Sequence, residues 1–300
     1  MFKVLITGSS GFLGKKLVSG LISNFSIFTL SRSDSFYSID LSSDIPDFNE
    51  TFDIVIHAAG LAHISSNSNE INNQFFNINV IGTQNLLSGL KIVGVPTKFV
   101  FISSVSVYGI SSGININETF DLSAKDSYGL SKIEAEKIVL KWCEENNVLC
   151  TILRLPLVVG VDPPGNLGAM INGIKKGFYI NIAGGKAKKS MVLATDVAKY
   201  IIKAAEVGGV YNLTDSHNPS FFELSIHLAR QIHTHPPLNI PIWLAEVIAL
   251  FGDLLGSKVP LNSDRLRKII TDLTFDDSKA RSSFGWKPTP VLSCNFISEL

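Results

Sequence analysis

Tyr128 and Lys132, in the run DSYGLSKIEAEK (Asp126 to Lys137), set a phenol and an ammonium group one helical turn apart. A free phenol ionises near pH 10, too high for efficient general-base work at neutrality, and a nearby cation favours its phenolate. Residues at i and i+4 share a helix face, so the Lys132 ammonium is expected beside Tyr128 and within reach of a cofactor's ribose hydroxyls. Such a pair can take or give a proton while a hydride moves to or from a nicotinamide. Upstream, FISSVSVYG ends a predicted strand with Ser103 and Ser104, where open α/β sheets place their ligands. A serine there can bond a substrate oxygen and orient it. A Tyr-x-x-x-Lys alone is common on solvated helices, so its weight comes from what accompanies it.

The companion is TGSSGFLG, which puts Gly8, Gly11 and Gly14 directly after the first predicted strand and into the first predicted helix. Without a Cβ the backbone can turn sharply and approach a pyrophosphate, which the free N–H groups and dipole of the helix N-terminus then stabilise. Strand before and helix after is the context that dinucleotide binding requires. At the end of the second strand, TLSRSDS offers Ser31 and Arg32 where an acidic residue would bond ribose hydroxyls. A guanidinium suits a 2′-phosphate better than a bare diol, which favours NADP(H), while Asp34 close by keeps NAD(H) open.

Apolar runs KVLITG, SIFTL, DIVIHAA, KFVFISS and LCTILRLP alternate with helical patterns at Gly11 to Asn24, Asn72 to Val93 and Lys125 to Asn146. Strands alternating with helices imply right-handed crossovers and a parallel sheet covered on both faces, an α/β doubly wound (Rossmann-type) fold. Beyond Pro156 the rhythm breaks at GVDPPGNLG. The expected division is a dinucleotide-binding domain of residues 1–160 plus about 190–215, and a smaller substrate lobe of about 161–189 plus 216–300. With 45% apolar residues the chain can bury a large core, and 26 acidic against 26 basic side chains give no net field to attract nucleic acid. Cys143, Cys150 and Cys294 show no disulfide or zinc spacing, no metal site is expected, and a reducing cytoplasm fits best. The start of the chain does not read as a signal peptide. The apolar stretch Ile242 to Leu255 carries Glu246 and Asp253 and is too short to span a bilayer, so it is expected to pack on the body or on a second subunit.

With these motifs assembled, the chain resembles the extended short-chain dehydrogenase/reductases, and among them the nucleotide-sugar epimerases, dehydratases and 4-ketoreductases. The resemblance spans nearly the whole chain. Its carriers are TGSSGFLG, Asp40-Leu41 after the third strand, HAAG at His57 to Gly60, NVIGTQNLL from Asn79 to Leu87, SSVSVYG, YGLSK, and RLP at Arg154 to Pro156. It implies that Gly8, Ser10, Gly11, Phe12, Leu13 and Gly14 hold the cofactor, and that Asp40 and Leu41 contact adenine. Ala58, Ala59, Gly60, Asn79, Ser103 and Val158 are further implied cofactor neighbours, with Pro156 beside the nicotinamide. Ser104, Tyr128 and Lys132 are the implied catalytic triad, Ser104 being chosen over Ser103 for its distance from VYG. Asn166, Lys189 and Arg265 resemble positions that bind the diphosphate of a sugar nucleotide, although Lys189 stands where an arginine is more usual. His63, in GLAHI after the cofactor strand, reads first as a plain loop histidine, with a substrate contact as the alternative.

Within that group, 4,6-dehydratases tend to carry an Asp-Glu pair after the catalytic hydroxyl to remove water across C5 and C6. Val105-Ser106 stand there instead, so dehydration is not expected. Two reactions at C4 remain. A 4-epimerase oxidises the alcohol, lets the keto sugar rotate and returns the same hydride; a 4-ketoreductase consumes an exchangeable reduced cofactor. Arg32 and the resemblance of LTFDDSKARSSFGWKP to reductases of 6-deoxy amino sugars favour a hexos-4-ulose reductase of surface polysaccharide synthesis. A UDP-hexose 4-epimerase is the alternative, and a non-catalytic NAD(P)-binding sensor a lesser one. The expected partner is a nucleotide-diphosphate sugar, without nucleic acid or stable membrane insertion, and with a homodimer left open.

Overall fold

The structure is a computed structural model that describes residues 1–62, 69–255 and 261–295; His63 lies outside the described residues. Seven strands build the central sheet: β1 (Lys3–Thr7), β2 (Ser26–Ser31), β3 (Tyr37–Ser38), β4 (Ile54–His57), β5 (Lys98–Ser104) and, past the outlying β6 (Gly113–Ile116), β7 (Leu149–Leu155). After β8 (Leu157–Val159), β9 (Ile180–Ile182) and β10 (Met191–Leu193), strand β11 (Gly209–Asn212) returns to it. The order is β11-β7-β5-β4-β1-β2-β3, with every pairing parallel. The chain leaves β1 toward β2 on one side and resumes with β4 on the other, so a crevice opens where the connections diverge.

Strand residues buried on both faces explain why these runs read as continuously apolar. On one face Val4, Ile6, Ile54 and Ile56 pack against Leu17 and Leu21 of α1 (Phe12–Leu21). On the other, Leu5, Val55, Phe99 and Phe101 meet the helices that follow α2 (Asn69–Phe76): Leu86 and Leu90 of α3 (Gly82–Val93), and Ala135 and Val139 of α4 (Ser127–Glu145). Between α2 and α3, Asn77–Ile81 form one π-helical turn, a wider winding that re-aims side chains and recurs at functional sites.

The smaller lobe carries α5 (Gly165–Lys175) before α6 (Ala194–Val207) rejoins the first face of the sheet beside α1. It resumes with α7 (Phe221–Gln231), then β12 (Leu238–Ile240) paired with β9, α8 (Ile242–Leu255), α9 (Ser263–Ile270) and β13 (Leu273–Phe275) paired with β6, followed by α10 (Ser278–Phe284). Along β10 the side chains alternate between the two bodies: Val192 faces the sheet core, and Met191 and Leu193 face the lobe core. The helix α8 has the bounds of the apolar stretch and turns small residues inward, Ala245, Ala249 and Gly252, while Trp243, Val247, Leu250 and Phe251 are exposed. Among the described residues no helix is long and apolar enough to cross a membrane, and no cluster of His, Cys, Asp and Glu could hold a metal. All three cysteines are free thiols.

Candidate functional site

At the crevice, Gly8 sits at φ +68° and anchors the loop by donating its N–H to the Leu30 carbonyl at 2.8 Å. A Cβ on Gly8 would come within 2.6 Å of the Ala59 backbone nitrogen. One on Gly14 would overlap the Gly8 carbonyl oxygen. Both positions therefore admit glycine alone, and the backbones of the loop and of Ala58 to Gly60 are pressed together. Helix α1 starts at an N-cap, Gly11, that offers no side-chain acceptor, with no acidic residue in the first turn. Its first N–H groups open on the crevice, the donor set a pyrophosphate requires.

Two adjoining cavities share Gly8, Gly11, Ala58 and Gly60 in their walls. The smaller, about 200 Å³, also has Ser10, Ser31, Arg32, Asp40, Leu41 and Ala59 in its lining. Arg32, but not Asp34, reaches it; Asp34 occupies a left-handed turn at φ +54°. Asp40 accepts from the Ser42 hydroxyl at 2.7 Å and its N–H at 3.0 Å. The Ser42 hydroxyl, foremost, and the Arg32 cation hold this carboxyl below the usual range against the opposing effect of burial.

The larger cavity, about 730 Å³, is lined by Phe12, Leu13, Gly14, Ser103, Pro156 and Val158 of the expected cofactor set, and by Ser104, Tyr128 and Lys132. Asn166 at the start of α5 and Lys189 line its lobe side. Lys189 Nζ is already engaged, donating to the carbonyls of Lys268 at 2.9 Å and Thr271 at 2.8 Å, where it caps the end of α9. Arg265 is exposed on α9 and belongs to neither lining. Asn79 stands behind the wall instead of in it. From the π turn its Oδ1 accepts from the Leu61 N–H at 2.7 Å, and its Nδ2 donates to the Leu61 carbonyl at 3.2 Å and to Ser131 Oγ at 2.9 Å. It thereby ties the loop after β4 to α4.

Local chemistry places the triad. Asp126 caps α4 by accepting from the Gly129 N–H at 2.9 Å, which fixes Tyr128 in the first turn. Ser104 ends β5 and caps the 3₁₀ turn Val105–Tyr108, accepting from the Ser106 N–H at 3.1 Å. Lys132 is buried, with Nζ donating to the Ile102 carbonyl at 2.7 Å and lying 4.3 Å from the centre of the Phe101 ring.

The proton energetics differ from the sequence expectation. Burial raises the Tyr128 phenol, Asp126 pushes the same way, and a hydrogen bond from Ser104 pulls it back. The phenol is thus the resident form, a proton donor held by Ser104, and the ammonium does not dominate it. Lys132 Nζ is committed to the Ile102 carbonyl. Burial lowers its pKa to about 8 despite the Glu136 carboxylate.

A pH prediction follows from that value. Above about pH 8 the folded chain has released a proton that an unfolded lysine keeps up to 10.5, so stability gains with pH in this window. The same step removes the ammonium, so turnover falls. Melting temperature and kcat measured from pH 7 to 10 are expected to move in opposite directions over that interval. Parallel decline of both would remove Lys132 as the titrating group.

Sequence reasoning assigned no role to a buried hydrogen-bonded column under the cavity floor. His57 Nδ1 meets Thr7 Oγ1 at 2.6 Å and Nε2 meets Thr83 Oγ1 at 2.9 Å, and the Thr83 hydroxyl donates to the Asn79 carbonyl at 2.7 Å. Burial, chiefly, pushes the His57 pKa down to about 3, so the ring is neutral and structural. Its signal in the sequence is a lone histidine ending an apolar strand.

Comparison with known proteins agrees with this architecture. Residues 4–214 match the NAD dependent epimerase/dehydratase family. The chain is 27% identical to a UDP-glucose 4-epimerase of Vibrio cholerae over 98% of its own length and 93% of the relative's. It is 32% identical to the UDP-glucose 4-epimerase of Dictyostelium discoideum, over 96% and 91%. Among solved structures, the Thermus thermophilus UDP-glucose 4-epimerase in complex with NAD aligns with a TM-score of 0.75 at 21% identity, covering 99% of this chain and 100% of that one. The glycine crevice, the paired cavities and the matched residues lead to one conclusion: the chain belongs to the NAD dependent epimerase/dehydratase family and is an NAD(P)-dependent enzyme.

Proposed function

We propose that the protein interconverts the configuration at C4 of a nucleotide-diphosphate sugar, as a 4-epimerase. The observation that carries this reading is the meeting of Ser104, Tyr128 and Lys132 on one wall of a roomy cavity whose lobe side is largely apolar, with Leu157, Leu167, Met170, Leu224 and Phe275 in its lining. A sugar anchored by its diphosphate has few polar contacts there to stop its ring from turning. When bound, the nicotinamide dinucleotide supplies the hydride acceptor and donor. The first turn of α1 binds its pyrophosphate, Ser104 orients the sugar oxygen, and Tyr128 moves the proton at that oxygen. Lys132 holds the neighbouring positive charge. Asn166 and Lys189 are the diphosphate contacts of this reading, Lys189 with the one N–H left beyond its two carbonyl partners. Val105-Ser106 supply no acid or base for dehydration.

Arg32 in the adenosine-end cavity favours a second reading, an NADPH-dependent hexos-4-ulose reductase. The two separate cleanly. Purified protein given UDP-glucose or UDP-galactose without added cofactor is expected to interconvert them using NAD that stays bound through gel filtration. Turnover only with added NADPH and a 4-keto sugar nucleotide would replace the first reading with the second. Arg32→Ala tests the cofactor argument by itself. A charge-assisted contact to a 2′-phosphate is worth about 1.5–3 kcal/mol, so NADPH affinity is expected to fall roughly 10- to 100-fold and NADH affinity less than about 2-fold. Equal losses, read by fluorescence titration, would show that Arg32 meets no phosphate.

A further inference from the structure

Glu136 is a buried carboxylate that the chemistry above does not use. It lies one turn beyond Lys132 on α4 and is 1% exposed. Both its oxygens are occupied: Arg154 donates Nε to Oε1 at 3.1 Å and Nη2 to Oε2 at 2.8 Å, and the Ser103 hydroxyl donates to Oε1. Arg154 is held in turn by the Tyr108 hydroxyl at 3.2 Å and by the face of the same ring. A buried ion pair of this kind is weak as a source of stability, because desolvation consumes most of the Coulombic gain and apolar replacements often do as well. Its position suggests what it does instead. Ser103 stands between Ile102, whose carbonyl accepts from Lys132, and Ser104, which orients the Tyr128 hydroxyl. The carboxylate fixes that strand end from behind.

We propose that Glu136 is a positioning residue for the proton-transfer pair: by gripping Ser103 and standing one turn below Lys132, it locks the end of β5 and keeps the buried ammonium in its charged form. The assignment rests on the site reading given above. Few titratable groups face Lys132. Tyr128 and Glu136 lie along α4, His57 on β4, and Arg154 on β7 beyond Glu136. Tyr128 and His57 are neutral, so Glu136 is the anion that offsets burial.

The test reads Lys132 itself and needs no substrate. With 13C-labelled lysine side chains, the Lys132 signal is identified by its absence in Lys132→Arg, and its titration midpoint in the wild-type chain is expected near 8. Glu136→Gln keeps shape and removes the charge, and is expected to lower the midpoint by roughly one unit, a tenfold change. Because that variant leaves Arg154 buried without its partner, the double change Glu136→Gln with Arg154→Met is made in parallel. It removes both charges and is expected to lower the midpoint in the same direction. An unmoved midpoint in either variant that keeps the wild-type circular dichroism spectrum overturns the proposal, even if its melting temperature falls. A failure to turn over any sugar nucleotide would leave this measurement intact and count against the proposed function alone.

Discussion

Tyr128→Phe is expected to lower turnover by about 10²- to 10⁴-fold, the range general acid–base catalysis contributes, while leaving fold and cofactor affinity near wild type. Only one hydroxyl is removed. The ring keeps its packing against Phe75, at 5.7 Å between centroids, and the cap that sets its place in α4, Asp126, is untouched. The loss is confined to the proton that burial holds on the phenol and to the hydrogen bond it receives from Ser104. Steady-state kinetics beside a melting curve and a cofactor titration give the answer. Turnover within about threefold of wild type, with intact fold, would mean another group handles the proton, and the site reading would fail with it.

Gly14→Ala is expected to destabilise the chain and weaken dinucleotide binding together. Two effects compete. Alanine is the better helix former by about 1 kcal/mol, and Gly14 lies inside α1. Against this, its Cβ would overlap the Gly8 carbonyl oxygen and come within 2.8 Å of Ser9 Cα, both backbone atoms that no rotamer change can move. Overpacking of this kind costs typically about 1–3 kcal/mol and occasionally more, and a contact with unyielding backbone falls at the upper end. A net loss of about 2 kcal/mol lowers the melting temperature by roughly 3 °C in a chain of 300 residues. Relief requires the helix start to move away from the crevice, so NAD(P)H affinity is expected to fall as well. A melt and a fluorescence titration on the same sample test both, and an unchanged melting temperature would contradict the close approach of helix and loop.

What was legible in the sequence was local. The glycine loop lies within eight consecutive residues and the Tyr128–Lys132 pair within five, so strand–turn–helix context and helical spacing suffice to place them. The parallel sheet followed because its strands are buried on both faces and so show as unbroken apolar runs. The illegible parts are those in which distant segments meet. Glu136 reads as one charge among several in EAEK, yet its partners are Arg154, 18 residues on, and Ser103, 33 residues back. His57 joins Thr7 across 50 residues. That Arg32 lines the smaller cavity and Asp34 does not follows the path of the chain, which turns left-handed at Asp34, and is not set by residue type. Lys189 is visible as a cation but not as the cap of a helix end about 80 residues later. The acidity of Tyr128 shows the same limit from another side. Spacing reveals the nearby ammonium, whereas the depth of burial that raises the phenol belongs to the folded body.

The extra peptide unit of the π turn at Asn77–Ile81 is a local device. Such a turn holds one residue more than an α-helix of equal span. Removing one of the five would let the winding relax to ordinary pitch with α2 and α3 still in phase, so the change stays inside the turn, where a residue moved by one place is re-aimed by about 100°. Asn79 lies inside it and would lose its aim at Leu61 and Ser131, whereas Thr83, already in α3, would keep His57. The added unit therefore serves to point one amide at the loop after β4.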